Sequence, residues 1–154
     1  MCIRDRGQSG SANVSNYIAD NNGTIGYTEV SFVTDSARAA KGMQSALLKN
    51  AAGIYTAPTA ASASSMIAGA TIDAQGFVTF DYKQAKNRTA YPIVAITYLL
   101  GKTAKSAKNA VVADFAKWMI NDYGPTAADA LGYAPLSGAI KTAALAQAAK
   151  INSK

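Results

Sequence analysis

Histidine is absent from this sequence of 154 residues, and cysteine and glutamate occur only once each, as Cys2 and Glu29. Without histidine the chain cannot form a Ser-His-Asp triad, a Cys-His pair or a His-ligated metal site. One cysteine cannot form an internal disulfide or a structural zinc site. The other acidic residues are aspartates that share no motif. These absences argue against an enzyme, and we expect neither a metal nor another cofactor.

Long apolar runs are missing too. The longest, residues 93–100, has eight residues and contains Thr97, whereas a membrane-spanning helix needs about 20. We therefore expect no membrane span. Residues 1–6 are charged, and Gly/Ser-rich sequence follows them without an apolar stretch. No signal sequence is therefore recognisable.

Positive charge is concentrated in the second half of the chain. Residues 83–154 carry a net charge of +7, against −1 for residues 1–82. This charge suits either a lysine-rich, solvated helical surface or a surface for nucleic acid or anionic membrane. Most of these cations are lysines spread singly, and no basic cluster alternates with aromatic residues that could stack on bases. The pattern favours the solvated surface.

Local patterns predict a mixture of helices and short strands. The predicted helices cover residues 12–20, 35–41, 59–69, 106–121, 125–131 and 137–149. The predicted strands cover residues 24–32, 45–49, 54–56, 77–80 and 93–100. The last strand is β-branched, lies between Pro92 and Gly101, and is expected to be buried on both faces. In the helix over 106–121 an apolar stripe is expected to face the core; it consists of Val111, Val112, Phe115, Trp118 and Met119.

One loop has the composition of an anion site. Ser9, Gly10 and Ser11 lead directly into the first predicted helix, and Arg4 and Arg6 lie just upstream. Free backbone N–H groups, two hydroxyls and the positive end of a helix dipole suit an oxyanion. The same residues equally suit an ordinary serine N-cap after an irregular start.

Six segments occur in an order and spacing that are typical of one family. They are Gly10-Ser11-Ala12-Asn13-Val14, Gly23-Thr24-Ile25-Gly26-Tyr27-Thr28-Glu29, Lys49-Asn50-x-x-Gly53, Ala90-Tyr91-Pro92-Ile93, Asp114-Phe115-Ala116-Lys117-Trp118 and Leu131-Gly132-Tyr133-Ala134-Pro135-Leu136. Over residues 7–149 the chain resembles the C-terminal part of the phosphate-binding proteins of bacterial phosphate ABC transporters. Actinobacterial-type members resemble it best.

The resemblance implies an α/β, periplasmic-binding-protein-like (type II) fold that is incomplete and contains only the later parts of both lobes. Residues 7–88 would be the later part of the second lobe. Residues 89–154 would be the hinge return, at Ala90, Tyr91 and Pro92, and the C-terminal part of the first lobe. Residues 1–6 match nothing in the family.

The implied function is that of the substrate-binding component of a phosphate importer. The intact protein would capture inorganic phosphate outside the cytoplasm, in the periplasm or at the cell surface, and deliver it to the ABC transporter permease. The family's phosphate ligands include an Arg-Ser-Asp-x-Ser-Gly-Thr motif that is not present here. We therefore assign no phosphate ligand, and only Ser9, Gly10 and Ser11 are weak candidates.

Two expectations and two alternatives follow. The chain alone should bind phosphate weakly or not at all. It should also expose an apolar sheet edge at residues 93–100, and therefore aggregate or depend on a chaperone. The alternative function is a basic nucleic-acid-associated domain, for which DNA affinity would fall steeply with salt. A phosphatase or transferase is a further alternative, and the missing histidine and acid pairs weigh against it.

Overall fold

The computed structural model describes residues 5–154, so Cys2, Arg4 and most of the unmatched start lie outside the described residues. The chain divides into two compact units, one ending at Ala46 and the other spanning Leu47–Lys154. The described chain contains helices and two small antiparallel sheets. This content is compatible with the predicted α/β class. The lobe boundary at residues 88–89 stays a prediction.

The first unit contains three helices, namely α1 (Gly10–Asp20), α2 (Val30–Thr34) and α3 (Ser36–Ala39). The predicted helix over 12–20 is confirmed. Polar contacts join α1 to the α3 region, because Arg38 Nε donates to Asn16 Oδ1 at 3.1 Å and Lys41 forms an ion pair with Asp20. The small unit is thus held by side-chain contacts between helices that are too short to be stable alone.

The predicted strand over 24–32 is wrong. Residues 24–29 form neither helix nor strand, and α2 begins at Val30. An ideal Cβ at Gly26 would lie 2.7 Å from Ile18 Cδ1 and 3.3 Å from Val14 Cγ1. The glycine therefore permits close approach to α1. Ile25 and Tyr27, two of the residues that give this segment its strand-like composition, are more than nine-tenths exposed.

The two sheets of the second unit are hairpins. Strand β1 (Leu48–Lys49) pairs with β2 (Tyr55–Thr56), with Leu48 opposite Thr56. Strand β3 (Thr71–Ile72) pairs with β4 (Val78–Thr79). The first turn uses Gly53 at φ 81°, a conformation that glycine adopts without strain. The predicted hairpin and the predicted strand over 77–80 are confirmed.

Helix α4 (Ala60–Ala68) begins with a capping box. Thr59 Oγ1 accepts from the backbone N–H of Ser62, and Ser62 Oγ accepts from the backbone N–H of Thr59. The helix buries Met66 and Ile67. The predicted helix over 59–69 is confirmed.

Residues 93–100 do not form the predicted strand within this chain. They also are not buried on both faces, because Ile93 is 69% and Leu100 is 90% exposed. The β-branched composition is that of a strand, but no strand of the described chain pairs with this segment. The segment is exposed, but not as the expected sheet edge, because it forms no strand.

The predicted break between two helices near residue 121 is wrong, because the helical path is continuous. Helix α5 (Ala107–Trp118) passes into a π-helical turn (Met119–Tyr123) and then into α6 (Gly124–Ala127). Pro125 has no N–H with which to bond the carbonyl of Asn121. The turn widens instead, and the Gly124 N–H bonds to the Met119 carbonyl.

The apolar stripe predicted for α5 is largely exposed. Ala113 and Ala116 are the buried residues of the helix, whereas Val111, Phe115 and Trp118 are at least 46% exposed. Trp118 stacks instead on Tyr123 across the π-helical turn, with ring centroids 5.0 Å apart. The pattern correctly identified a helix but not the face that packs.

The chain ends with a single 3₁₀ turn (Asp129–Leu131), Gly132 at φ 79°, and α7 (Gly138–Ala148). These elements confirm the predicted helix end at residue 131 and the predicted last helix. Ile140 and Ala148 of α7 are buried. Within residues 5–154, no helix is both long enough and apolar enough to cross a membrane.

Candidate functional site

The loop of Ser9, Gly10 and Ser11 lies where the sequence predicts it, at the N-terminus of α1. Ser9 is the N-cap residue, but its side chain makes no capping hydrogen bond. Gly10 has φ 77°, and the Ser9 carbonyl accepts from Asn13 Nδ2 at 2.9 Å. Ser9 and Gly10 are exposed and Ser11 is half-buried, so the geometry of the loop alone does not enclose an anion.

Glu29 supplies a negative charge to this same loop. The Ser11 hydroxyl donates to the Glu29 carboxylate, and this hydrogen bond is the main cause of the lowered pKa of Glu29. The Glu29 backbone N–H and the Thr28 hydroxyl lower the pKa further. A phosphate at this loop would meet both a carboxylate and a hydroxyl that is already engaged. Among the three weak candidates for a phosphate ligand, Ser11 is therefore already hydrogen-bonded to Glu29.

We predict that Ser11→Ala raises the pKa of Glu29. The lowered pKa means that the contact stabilises the folded unit when the carboxylate is charged, and that this stabilisation is lost as the pH falls through the pKa of Glu29. Because the chain has a single glutamate, carboxyl-carbon NMR reports this titration without overlap from other glutamates. Ser9→Ala is the matched control and should leave the titration unchanged. An unchanged pKa in Ser11→Ala would contradict the assigned contact.

The predicted hinge residues are anchored to the β1–β2 hairpin. Ala90 is 4% exposed, and its carbonyl accepts from Asn50 Nδ2 at 3.3 Å and from Thr56 Oγ1 at 3.1 Å. Asn50 Nδ2 also donates to the Arg88 carbonyl at 3.0 Å. The Tyr91 N–H donates to the Ser62 carbonyl at 3.2 Å, and burial raises the pKa of the Tyr91 hydroxyl. The segment entering the predicted hinge is therefore held on two sides.

A second asparagine holds this segment from α4. Asn87 Nδ2 donates to the Ser65 carbonyl at 2.6 Å, and Asn87 Oδ1 accepts from the Ser65 hydroxyl at 2.8 Å and from the Ala90 N–H at 3.1 Å. The sequence patterns do not single out Asn87. The Asn50-x-x-Gly53 turn is recognisable in the sequence. Nothing in the sequence indicates, however, that Asn50 bonds to the carbonyls of Arg88 and Ala90, which lie 38 and 40 positions further along the chain.

These polar residues border a shallow groove of about 660 Å³. Its lining consists of Ser65, Ala68, Gly69, Asp81, Gln84, Ala85, Lys86 and Asn87. The Gln84 amide occupies the space where a Cβ of Gly69 would lie, so the glycine lets this flexible side chain pack against the end of α4. The Asn87 amide and the Ser65 hydroxyl are already bonded to each other and to the backbone. The groove therefore offers an anion few donors besides Lys86, and its lining also includes the carboxylate of Asp81.

Among residues 5–154, neither an unpartnered buried side-chain donor nor a cluster of metal-ligating side chains is found. In residues 5–154 every buried side-chain nitrogen or oxygen has a hydrogen-bond partner. No group of three or more Cys, Asp or Glu side chains in this part of the chain could hold a metal ion. The arrangement can order the backbone around Ala90, but it does not surround a ligand.

The lysines of the second half lie mostly on exposed positions. Lys102, Lys105 and Lys108 are exposed around the start of α5, and Lys117 is 4.0 Å from Asp114 on the same helix. Ion pairs this exposed contribute little to stability. The distribution agrees with a solvated lysine-rich surface.

Comparison with known proteins gives two relatives. No family model matches the chain. The phosphate-binding proteins PstS of Xylella fastidiosa strain 9a5c and of strain Temecula1 / ATCC 700964 are each 28% identical to it over 132 residues. The match covers 84% of this chain and 35% of each relative. The chain is thus distantly similar to phosphate-binding proteins, and it spans about a third of the length of the curated relatives it matches.

Proposed function

We propose that this chain is part of the substrate-binding component of a phosphate ABC importer. The observation that carries the proposal is the match of 84% of the chain to two proteins named as phosphate-binding. The order of motifs along residues 7–149 supports it independently of overall identity. In this proposal the intact protein captures inorganic phosphate outside the cytoplasm and delivers it to the permease, by binding and without covalent chemistry.

The chain would be a fragment that contains the later parts of two lobes. Residues 7–88 would belong to the second lobe and residues 89–154 to the first, with the crossing at Ala90, Tyr91 and Pro92. The double anchoring of Ala90 by Asn50 and Asn87 supports this placement. A crossing segment must keep a defined position while the two lobes close on a ligand.

The phosphate ligands would lie in the polypeptide that this chain lacks. Two observations support this step: Ser11 is engaged with Glu29, and the donors at the groove are engaged with each other. Selectivity for an oxyanion comes from free N–H and O–H donors at loops and helix N-termini. We place those donors upstream of residue 7.

A chimera tests this proposal. The 132 matched residues of the Xylella fastidiosa strain 9a5c protein are replaced by their counterpart from this chain, and phosphate binding is measured by isothermal titration calorimetry. We expect the chimera to bind phosphate, because the missing ligands are restored while this chain completes both lobes. The unaltered Xylella protein is the positive control, and this chain alone is the negative control.

Two outcomes would contradict the proposal. A folded chimera that does not bind phosphate would show that this chain cannot complete a phosphate-binding protein. Phosphate binding by this chain alone at micromolar concentration would show that it already holds the ligands and is not a fragment.

A further inference from the structure

The turn that follows α1 contains the single Asn-Gly sequence of the chain, at Asn22 and Gly23. Both residues are exposed. Gly23 has φ 80°, and an ideal Cβ on it would meet nothing within 4 Å. Among residues 5–154, neither the Asn22 side chain nor the Gly23 N–H has a hydrogen-bond partner. An unengaged side-chain amide therefore lies next to an unengaged backbone nitrogen, and both are open to water.

We infer that Asn22 is a site of spontaneous deamidation in the folded chain. The Gly23 nitrogen loses its proton to hydroxide and attacks the side-chain carbonyl carbon of Asn22. A bond forms between these two atoms, the carbon–nitrogen bond of the side-chain amide breaks, and the nitrogen leaves as ammonia after taking a proton from water. Water then opens the resulting succinimide ring. Cleavage of the new bond gives aspartate, and cleavage of the original peptide bond gives isoaspartate.

The other asparagines of the described chain are placed less favourably for this reaction. Apart from Asn121, each of them has a hydrogen-bonded side chain; the neighbouring Asn21, for example, donates to the Tyr17 carbonyl at 2.8 Å. Asn121 lies within the π-helical turn, whose backbone is held by helical hydrogen bonds. None of these residues precedes a glycine, so the Cβ of the next residue hinders the attack of its nitrogen.

The reaction would place a new negative charge at the C-terminal end of α1. Asp20 is the last residue of this helix, and the negative end of the helix dipole lies at the same place. The Asp20 carboxylate already forms an ion pair with Lys41. A second carboxylate at position 22 is therefore expected to loosen the last turn of α1, where the Asn21 N–H bonds to the Ile18 carbonyl at 3.4 Å. This consequence depends neither on phosphate nor on a transporter.

Mass spectrometry of the full chain after incubation at mildly alkaline pH tests this inference. The incubation continues until a reference peptide of residues 17–28 is half converted at its Asn-Gly sequence. The proteolytic fragment that holds Asn22 should by then contain aspartate and isoaspartate. The reaction at Asn22 should be at least about tenfold faster than at Asn121, because the π-helical turn must open before its backbone nitrogen can react. The rate should rise with pH, because hydroxide removes the proton from the attacking nitrogen.

Asn22→Gln is the test variant, and Asn121→Gln is the matched control. Glutamine keeps a neutral amide, but its longer side chain would have to close a larger ring, which is slower. Asn22→Gln should therefore abolish the acidic form of the chain that cation-exchange chromatography separates, whereas Asn121→Gln should leave it unchanged. Asn22→Asp should elute with the aspartate product. Amides in the last turn of α1 should exchange faster in Asn22→Asp than in Asn22→Gln.

Two results would overturn the inference. An intact Asn22 at the time when the reference peptide is half converted would show that the fold blocks the reaction. An acidic form that persists in Asn22→Gln would place the reaction at another residue. Equal exchange of the α1 amides in Asn22→Asp and Asn22→Gln would contradict the expected loosening of the helix end.

Discussion

Replacing Asn50 with alanine is expected to destabilise the second unit by about 2–4 kcal/mol. Asn50 is 8% exposed, and its side chain makes four hydrogen bonds. Oδ1 accepts from the N–H groups of Ala52 and Ile54 at 3.0 and 3.1 Å, and Nδ2 donates to two carbonyls near the predicted hinge. Truncation leaves all four backbone groups without these partners.

Amide hydrogen exchange measures this effect where it arises. The N–H of Ala52 should exchange at least about tenfold faster in Asn50→Ala, because its acceptor is removed. The Tyr91 N–H should also exchange faster, because residues 88–90 are released from the hairpin. Asn121→Ala is the matched control, since Asn121 is exposed and its side chain has no hydrogen-bond partner among residues 5–154. Equal exchange in Asn50→Ala and wild type would contradict the anchoring of Ala90.

Asn50→Asp separates the two halves of the contact. The aspartate keeps the acceptors for Ala52 and Ile54 but places a negative charge against the carbonyls of Arg88 and Ala90. We expect it to be as damaging as alanine at neutral pH. In acid the protonated carboxyl can donate one hydrogen bond, so part of the lost stability should return as the pH falls.

The elements that the sequence predicts correctly are those with local causes. The hairpin follows from Asn50 and Gly53 within one turn, and α4 follows from a capping box contained in residues 59–62. Each signal lies within five residues of the structure it determines. Such patterns retain their meaning in most tertiary surroundings.

The wrong predictions have causes that are distant along the chain or depend on packing. Residues 24–29 have strand-forming composition, but Gly26 packs on Ile18 of α1 instead of pairing with a strand. Strand propensity expresses the fit of a side chain to a half-buried pleated surface, and the first unit provides no sheet among its described residues. Composition therefore indicated the wrong element.

The candidate site shows the same limit. The sequence identified Ser9, Gly10 and Ser11 as a loop with anion-binding composition, but the engagement of Ser11 by Glu29 depends on a fold that joins residues 18 positions apart. Likewise, nothing in the sequence indicates that Asn87 bonds to Ser65, 22 positions away. The number of side-chain donors can be counted from the sequence. Whether those donors are free to bind a ligand depends on contacts that only the fold creates.

Gly124→Ala is the second variant with a large expected effect. In an ordinary helix this change stabilises by about 1 kcal/mol, and Gly124 has helical angles, φ −56° and ψ −50°. Here an ideal Cβ would lie 2.6 Å from the Met119 carbonyl oxygen, a backbone atom that cannot move without opening the π-helical turn. Pro125 also disfavours helical angles at a preceding residue that carries a Cβ. We expect a net loss of about 2 kcal/mol.

Trp118 is the probe for this variant. It is the chain's single tryptophan and stacks on Tyr123 across the turn that the new methyl group would disturb. Denaturant unfolding at a concentration where the chain is monomeric should show a lower midpoint and altered tryptophan fluorescence for the native state. Gly7→Ala is the matched control, because its Cβ would meet nothing within 4 Å, and it should change stability by less than about 0.5 kcal/mol.

A double variant identifies the cause of the strain at this turn. Pro125→Ala restores the N–H that the Asn121 carbonyl lacks and removes the restriction on residue 124, so the turn can close as an ordinary α-helix. Gly124→Ala combined with Pro125→Ala should therefore recover most of the stability that Gly124→Ala alone loses. If the double variant is as unstable as Gly124→Ala alone, the proline does not cause the π-helical turn.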